Sequence, residues 1–214
     1  RLSWDTYGDD IWLSNDRTFP PGLPQPMGES SVSRARLADL HDLDLHPEAF
    51  SAVMRSLGLV TTKLRRDPRA TAAFLNVLAH GQRPYRVLTI MNETGLLGRF
   101  LPEWGRIVGQ TQFNMYHAYT VDEHTLQAIG IINDIWRGKL KAENPSSTEI
   151  VHRIDDFEAL MLAMLLHDVG KGGDRGQLED GAIAARRACD RLGLDPRRTE
   201  FVVWLVRNHL ALSD

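Results

Sequence analysis

The feature that most constrains this chain is an apolar segment over residues 155–168 that ends in a histidine and an aspartate. Residues 159–166 include no charged side chain. A segment that is apolar on all sides predicts a helix buried at the centre of a helical fold. Charged groups are rarely buried unpaired, because desolvation is costly. His167 and Asp168 therefore need a compensating partner, and a divalent cation suits them because imidazole and carboxylate are both good metal ligands.

Helical signals repeat along the chain from about residue 33. Apolar residues recur at helical spacing, proline or an acidic residue opens several segments, and glycine ends several. Four prolines within residues 1–33 exclude a long helix there, and a short strand over residues 10–13 is the only β element considered. Residues 144–147 are predicted as a loop. The predicted class is all-α with an irregular N-terminal extension, and the predicted helices occupy about residues 46–57, 67–80, 84–94, 123–135, 155–168, 182–192 and 195–206.

Composition excludes several functional classes. The chain has 214 residues, 43% of them hydrophobic and 25% charged, with a net charge of −3. This balance predicts no bulk attraction to nucleic acid. The longest apolar run is far shorter than the ~20 residues that span a bilayer, so no membrane association is expected. A single cysteine, Cys189, favours a reducing compartment, and we expect a cytoplasmic protein.

A second candidate ligand, His124, lies at the start of the helix predicted over residues 123–135. Ligands from two packed helices converge on one cation in other helical metal sites. Lys171 follows His167 by four positions, so it lies on the same helical face if the helix continues, where it would meet a phosphate group.

Simpler interpretations compete with the metal site at each histidine. His167 would also cap the last carbonyls of its helix. His117 is expected to be a partly buried, hydrogen-bonded histidine. The pair at residues 41–42 repeats the His-Asp dipeptide, but it has no buried helix before it, and we interpret it as a solvated face or loop. The combination of His124 with the pair at 167 and 168 favours the metal interpretation.

The sequence motifs around these residues indicate a family more specifically than the candidate ligands alone. A histidine followed by His-Asp on a helical chain resembles the HD superfamily of metal-dependent phosphohydrolases. The sequences MNETGLLGRFLPEWGRIVGQ, YTVDEHT, HDVGKG and WLVRNHL are similar in order and spacing to the central part of the protein-PII uridylyltransferase/uridylyl-removing enzymes. They begin at residues 91, 119, 167 and 204. The resemblance extends from about residue 74 to the end.

The resemblance implies an HD helical bundle over residues 71–214, after a linker over residues 1–70 with partial helices. In that family the HD domain removes UMP from the nitrogen-regulatory protein PII, so UMP and PII are the implied partners. The implied metal ligands are His124, His167 and Asp168, with His209 as a further candidate. Lys171 and Arg175 would contact phosphate, with Lys171 and Asp168 in catalytic roles. The implied cofactor is Mg²⁺ or Mn²⁺, or Fe²⁺ given the imidazoles.

Two departures from the family pattern bear on this site. Gln177 takes the position where the family usually has a histidine after the glycine loop, and glutamine is a poor ligand for transition metals. The family's last ligand aspartate is expected beyond residue 214, so the domain is interpreted as C-terminally truncated. We do not expect Asp214 to replace this last ligand aspartate. The nucleotidyltransferase motif and the C-terminal sensory domains of the family are not found in this sequence.

Two other functions fit part of the pattern. One is an HD phosphohydrolase that acts on free nucleotides or cyclic dinucleotides, although the words at residues 95–110 and 119–125 argue against it. The other is a degenerate HD module that binds a metal or nucleotide and has only a regulatory role. Gln177 is the residue that favours this last alternative.

Overall fold

The computed structural model describes residues 47–111 and 119–211. Within these residues the chain is helical and has no strand, which confirms the all-α class. The expectations for residues 1–33, for the strand over residues 10–13 and for the pair at 41–42 lie outside the described residues. The α-helices are α1 Pro47–Arg55, α2 Pro68–Leu75, α3 Pro84–Glu93, α4 Leu96–Phe100, α5 Val121–Trp136, α6 Pro145–Val151, α7 Phe157–Leu166, α8 Gln177–Leu192 and α9 Pro196–Arg207.

Aspartate side chains cap the first turns of three of these helices. Asp67 accepts a hydrogen bond from the Arg69 N–H at 2.9 Å and so caps α2. Asp156 caps α7 in the same way, and Asp195 caps α9. Each cap satisfies one of the N–H groups that a helix leaves unpaired in its first turn.

The predicted boundaries differ most from the structure at three places. Residues 145–147 are helical rather than a loop, because Pro145 is the first residue of α6, where its missing N–H costs nothing. The helix predicted over residues 182–192 begins at Gln177, since Glu179 and Asp180 supply a polar first turn that lacks apolar periodicity. The short helix α4 was not predicted.

Helix α7 is the central element, as its sequence predicts. Seven of its ten residues are buried, and it packs against α5, α8, α9 and the π-helical turn Asn76–His80. Burying a leucine or methionine side chain contributes roughly 1.5–3 kcal/mol, so α7 anchors the bundle. The buried apolar side chains form one core that runs from Val53 to Val206. No helix among the described residues is long and apolar enough to span a membrane.

Candidate metal centre

The His-Asp pair lies at the turn that follows α7. His167 is the C-cap residue of this helix, and its Nδ1 donates a hydrogen bond to the Met164 carbonyl at 2.7 Å. The other ring nitrogen, Nε2, is thereby directed toward Asp168. The Met164 carbonyl fixes the tautomer, because a carbonyl only accepts, so a neutral His167 has its lone pair on Nε2.

Gly170 allows this turn to lie directly against α8. A Cβ added at Gly170 would stand 2.1 Å from the Gln177 carbonyl oxygen and 2.3 Å from the Gly181 nitrogen. Both atoms belong to the backbone of α8, so a side chain is excluded here. The close approach fixes the distance between the His-Asp turn and the first turns of α8.

Asp168 is the buried charge at the centre of the cluster, with 3% of its side chain exposed. Its Oδ2 lies 2.6 Å from the Lys171 Nζ and 3.2 Å from the His167 Nε2. Burial raises the pKa of Asp168, but the hydrogen bonds and charges of His167 and Lys171 outweigh burial and lower this pKa to about 2. The carboxylate is therefore ionised at neutral pH.

His124 is placed by a polar network that fastens the first turn of α5. Asp122 is buried and accepts hydrogen bonds from the Asn92 side chain at 2.8 Å and from the Gly109 N–H at 3.2 Å. The indole N–H of Trp104 donates to the side-chain amide oxygen Oδ1 of Asn92 at 2.7 Å. This network fixes α5 against α3 and the segment that follows α4.

The two helices bring the three predicted ligands together. One ligand atom each from His124, His167 and Asp168 lie within 4.8 Å of one another, and the ring centroids of the two histidines are 6.2 Å apart. The donor set fits a divalent cation, because imidazole nitrogen and carboxylate oxygen are both good ligands for such ions.

His209 and Gln177 lie on the other side of Asp168. The Gln177 Nε2 is 2.8 Å from the Asp168 Oδ1 and 3.2 Å from the His209 Nε2. His209 donates from Nδ1 to the Val206 carbonyl at 2.6 Å, and its Nε2 is 3.7 Å from Asp168 Oδ1. His209 is thus next to the cluster but outside the three-ligand group.

The two predicted phosphate ligands have different surroundings. Lys171 reaches the cluster through its ion pair with Asp168, and 15% of its side chain is exposed. Arg175 instead pairs with Asp180, at 3.2 Å between Nη1 and Oδ1, and 66% of its side chain is exposed. The structure therefore brings Lys171, but not Arg175, into contact with a predicted ligand. His117 and Asp214 lie outside the described residues.

Sequence reasoning missed the residues that support the ligands. Asn92 and Gly109 were not singled out, and Asp122 was considered only as a possible cap of the helix that carries His124, although each lies within a motif that carries the family resemblance. Gln177 was considered only as a poor metal ligand, whereas its side chain contacts both Asp168 and His209. The one available signal was Asp122, a carboxylate two positions before a candidate ligand in the first turn of an amphipathic helix.

Comparison with known proteins finds family matches for two segments of the chain. Residues 36–100 match the family described as uridylyltransferase GlnD third domain, and residues 121–214 match the HD domain family. The bifunctional uridylyltransferase/uridylyl-removing enzyme of Caulobacter vibrioides is 59% identical over 179 residues, which are 84% of this chain and 19% of that protein. The chain belongs to the GlnD uridylyltransferase family. The HD domain contains every predicted site residue.

Further relatives have the same name. The bifunctional uridylyltransferase/uridylyl-removing enzyme of Phenylobacterium zucineum is 57% identical over 179 residues, 84% of this chain and 19% of that protein. The protein of that name from Azospirillum brasilense is 49% identical over 208 residues, 96% of this chain and 22% of that protein. The chain thus spans about a fifth of the length of these GlnD relatives.

Proposed function

We propose that this HD domain is the uridylyl-removing part of a bifunctional enzyme and hydrolyses the bond between UMP and a tyrosine of PII. The observation that carries the proposal is the convergence of His124, His167 and Asp168 from two helices. The names of the relatives support the choice of substrate.

The three converging side chains are the residues that would hold a divalent cation. Two imidazoles and one carboxylate favour Mn²⁺ or Fe²⁺ over Mg²⁺, which prefers an all-oxygen environment. When bound, such a cation supplies Lewis-acid polarisation of a phosphoryl oxygen and lowers the pKa of water.

The residues of the domain orient this chemistry. Asp168 is buried and His124 is exposed, so the substrate would approach from the His124 side. Lys171 would turn from Asp168 to a phosphate oxygen and stabilise the charge that develops there. Arg175 would contact the phosphate only after it leaves Asp180, so Lys171 is the nearer phosphate ligand.

The overall reaction is a hydrolysis. An oxygen–phosphorus bond forms between water and UMP, and the phosphorus–oxygen bond to tyrosine breaks. One proton of the attacking water ends on the tyrosine oxygen, whose ordinary pKa is about 10, so that the products are UMP and unmodified PII.

The test measures UMP release from uridylylated PII by the full-length protein. We expect His167→Gln and Asp168→Asn to reduce release by about 10³-fold or more, because metal-assisted charge stabilisation contributes several kcal/mol. Attachment of UMP should be unchanged in both variants. His152→Gln is the matched control, since this histidine packs on Trp136 away from the cluster.

The same assay separates the alternatives. Undiminished release by either site variant would contradict the assignment of the site. If the native protein releases no UMP with any divalent metal, the regulatory interpretation is favoured. Faster hydrolysis of free nucleotides than of uridylylated PII would favour another HD phosphohydrolase.

A further inference from the structure

Gln177 occupies one side of the carboxylate that holds the cluster together. Its amide nitrogen contacts both the Asp168 Oδ1 and the His209 Nε2. The orientation of the amide is fixed by its surroundings, because the reversed amide would place its oxygen against a carboxylate oxygen. The two hydrogens of the NH₂ group therefore point at Asp168 and His209.

His209 is the matching acceptor in this arrangement. Its Nδ1 donates to the Val206 carbonyl, so a neutral ring has its only lone pair on Nε2. That lone pair faces Gln177 at 3.2 Å. The nitrogen that would otherwise bind a metal is thus already hydrogen-bonded.

The two oxygens of Asp168 consequently face different surroundings. Oδ2 faces His167 and Lys171, while Oδ1 faces Gln177 and His209. A cation next to Oδ1 would stand against the positive end of the amide dipole, and it would have to displace the hydrogen bond. A cation on the Oδ2 side would instead displace the Lys171 ammonium, which the proposed function turns toward a phosphate oxygen, whereas Gln177 is held by its backbone contact with Gly170.

We propose that Gln177 closes the Oδ1 side of Asp168, so that the site holds one divalent cation between His124, His167 and Asp168, and His209 is not a ligand. This inference rests on the metal centre of the proposed function and replaces the sequence-based prediction that His209 binds metal. It also assigns Gln177 a positioning role, because its backbone is held by the contact with Gly170.

The first experiment counts bound metal in the 214-residue chain. The chain is loaded with Mn²⁺, freed of unbound ion by gel filtration and analysed for manganese per chain. We expect one Mn²⁺ in the native chain and two in Gln177→His, which replaces the amide donor by a ligand. Gln177→Met is the matched control of similar length, which adds no good metal ligand and still fills the space beside Asp168 Oδ1, so it should hold one. Circular dichroism confirms that each variant is folded.

Electron paramagnetic resonance supplies a second readout that does not depend on activity. Two Mn²⁺ ions in a shared site lie about 3.5–4 Å apart. At that spacing they couple, so Gln177→His should replace the six-line signal of an isolated ion by a coupled spectrum. The native chain should give only the isolated signal.

A third measurement tests the role of His209 by calorimetric titration with Mn²⁺. His209→Gln removes a neighbour of the ligands and should weaken binding by less than about tenfold, at the low end of the range for supporting residues. His167→Gln should weaken it by at least about tenfold more. Equal losses would make His209 a ligand and overturn the assignment.

The outcomes distinguish this inference from the proposed function. Two ions in the native chain, or one ion in Gln177→His, would overturn the role of Gln177 and leave the hydrolase proposal intact. A native chain that binds no Mn²⁺ would remove the metal centre, and both proposals with it.

Discussion

Replacing Gly170 by alanine is the most direct test of how the fold positions the site. The new Cβ would lie 2.1 Å from the Gln177 carbonyl oxygen, whereas real Cβ atoms keep at least 3.0 Å, so the turn and α8 must separate by about 0.9 Å. Two further backbone atoms, both in Gly181, lie within 2.7 Å of the same position. None of the three belongs to a flexible side chain.

This overlap should be costly for stability and for metal binding. Overpacking a core commonly costs 1–3 kcal/mol, and backbone contacts place Gly170→Ala at about 3 kcal/mol or more. For a chain of this size that lowers the Tm by roughly 6–12 °C. A shift of this size also moves Gln177 relative to Asp168, so we expect weaker Mn²⁺ binding.

The assay pairs this variant with Gly58→Ala, whose added Cβ would have no atom within 4 Å. Thermal and urea unfolding followed by circular dichroism gives the two free energies of unfolding, and calorimetry gives the Mn²⁺ affinities. We expect the control to change stability by no more than about 0.5 kcal/mol. If Gly170→Ala behaves like the control, the close approach of the turn to α8 is refuted.

Three further predictions concern stability and reactivity. Asp156 caps α7 and accepts two hydrogen bonds from Arg198, so Asp156→Ala should cost about 2–3 kcal/mol in urea unfolding. The hydrogen bond from Arg198 is the main cause that holds the pKa of Asp156 below its ordinary 3.8, and burial opposes it. The stabilisation by the Asp156 carboxylate is therefore present above pH 3.8 and is lost as the pH falls further. The stabilities of the native protein and of Asp156→Ala should converge there. Burial raises the pKa of Cys189 to about 12, so a thiol reagent at pH 8 should label it only after unfolding. Trp104 is fully buried and Trp204 is 60% exposed; Trp104→Phe should cost about 2–3 kcal/mol and Trp204→Phe less than about 0.5.

The central parts of the fold were predictable because they depend on local chemistry. Helix α7 has so few polar residues that burial is its only stable environment, and proline after a capping aspartate predicts the starts of α2 and α9. The boundary error at α6 has a similar physical origin. Pro145 and the two serines after it read as a loop, but the same residues are tolerated in a first helical turn.

Of the site, the sequence predicted only which candidate ligands come together. The convergence of His124 with His167 and Asp168 could be expected because each lies at a helix terminus and because the sequence motifs around them occur in the order found in the family. The hydrogen bonds of Gln177 do not follow, because they depend on the register between α8 and the turn at Gly170. The contact between Arg175 and Asp180 is likewise a product of the loop conformation, which the order of residues does not reveal.

The network at Asp122 means that the HD segment, residues 121–214, is not structurally independent of the residues before it. The Asp122 carboxylate accepts hydrogen bonds from Asn92 and Gly109. Both residues precede residue 121, where the HD match begins. Grafting residues 121–214 onto a foreign protein would remove both of these donors from the buried Asp122 carboxylate, a penalty of about 1–3 kcal/mol, and would loosen the attachment of the first turn of α5. Recombination between residues 100 and 121 would misplace His124, so the two segments are expected to be inherited together.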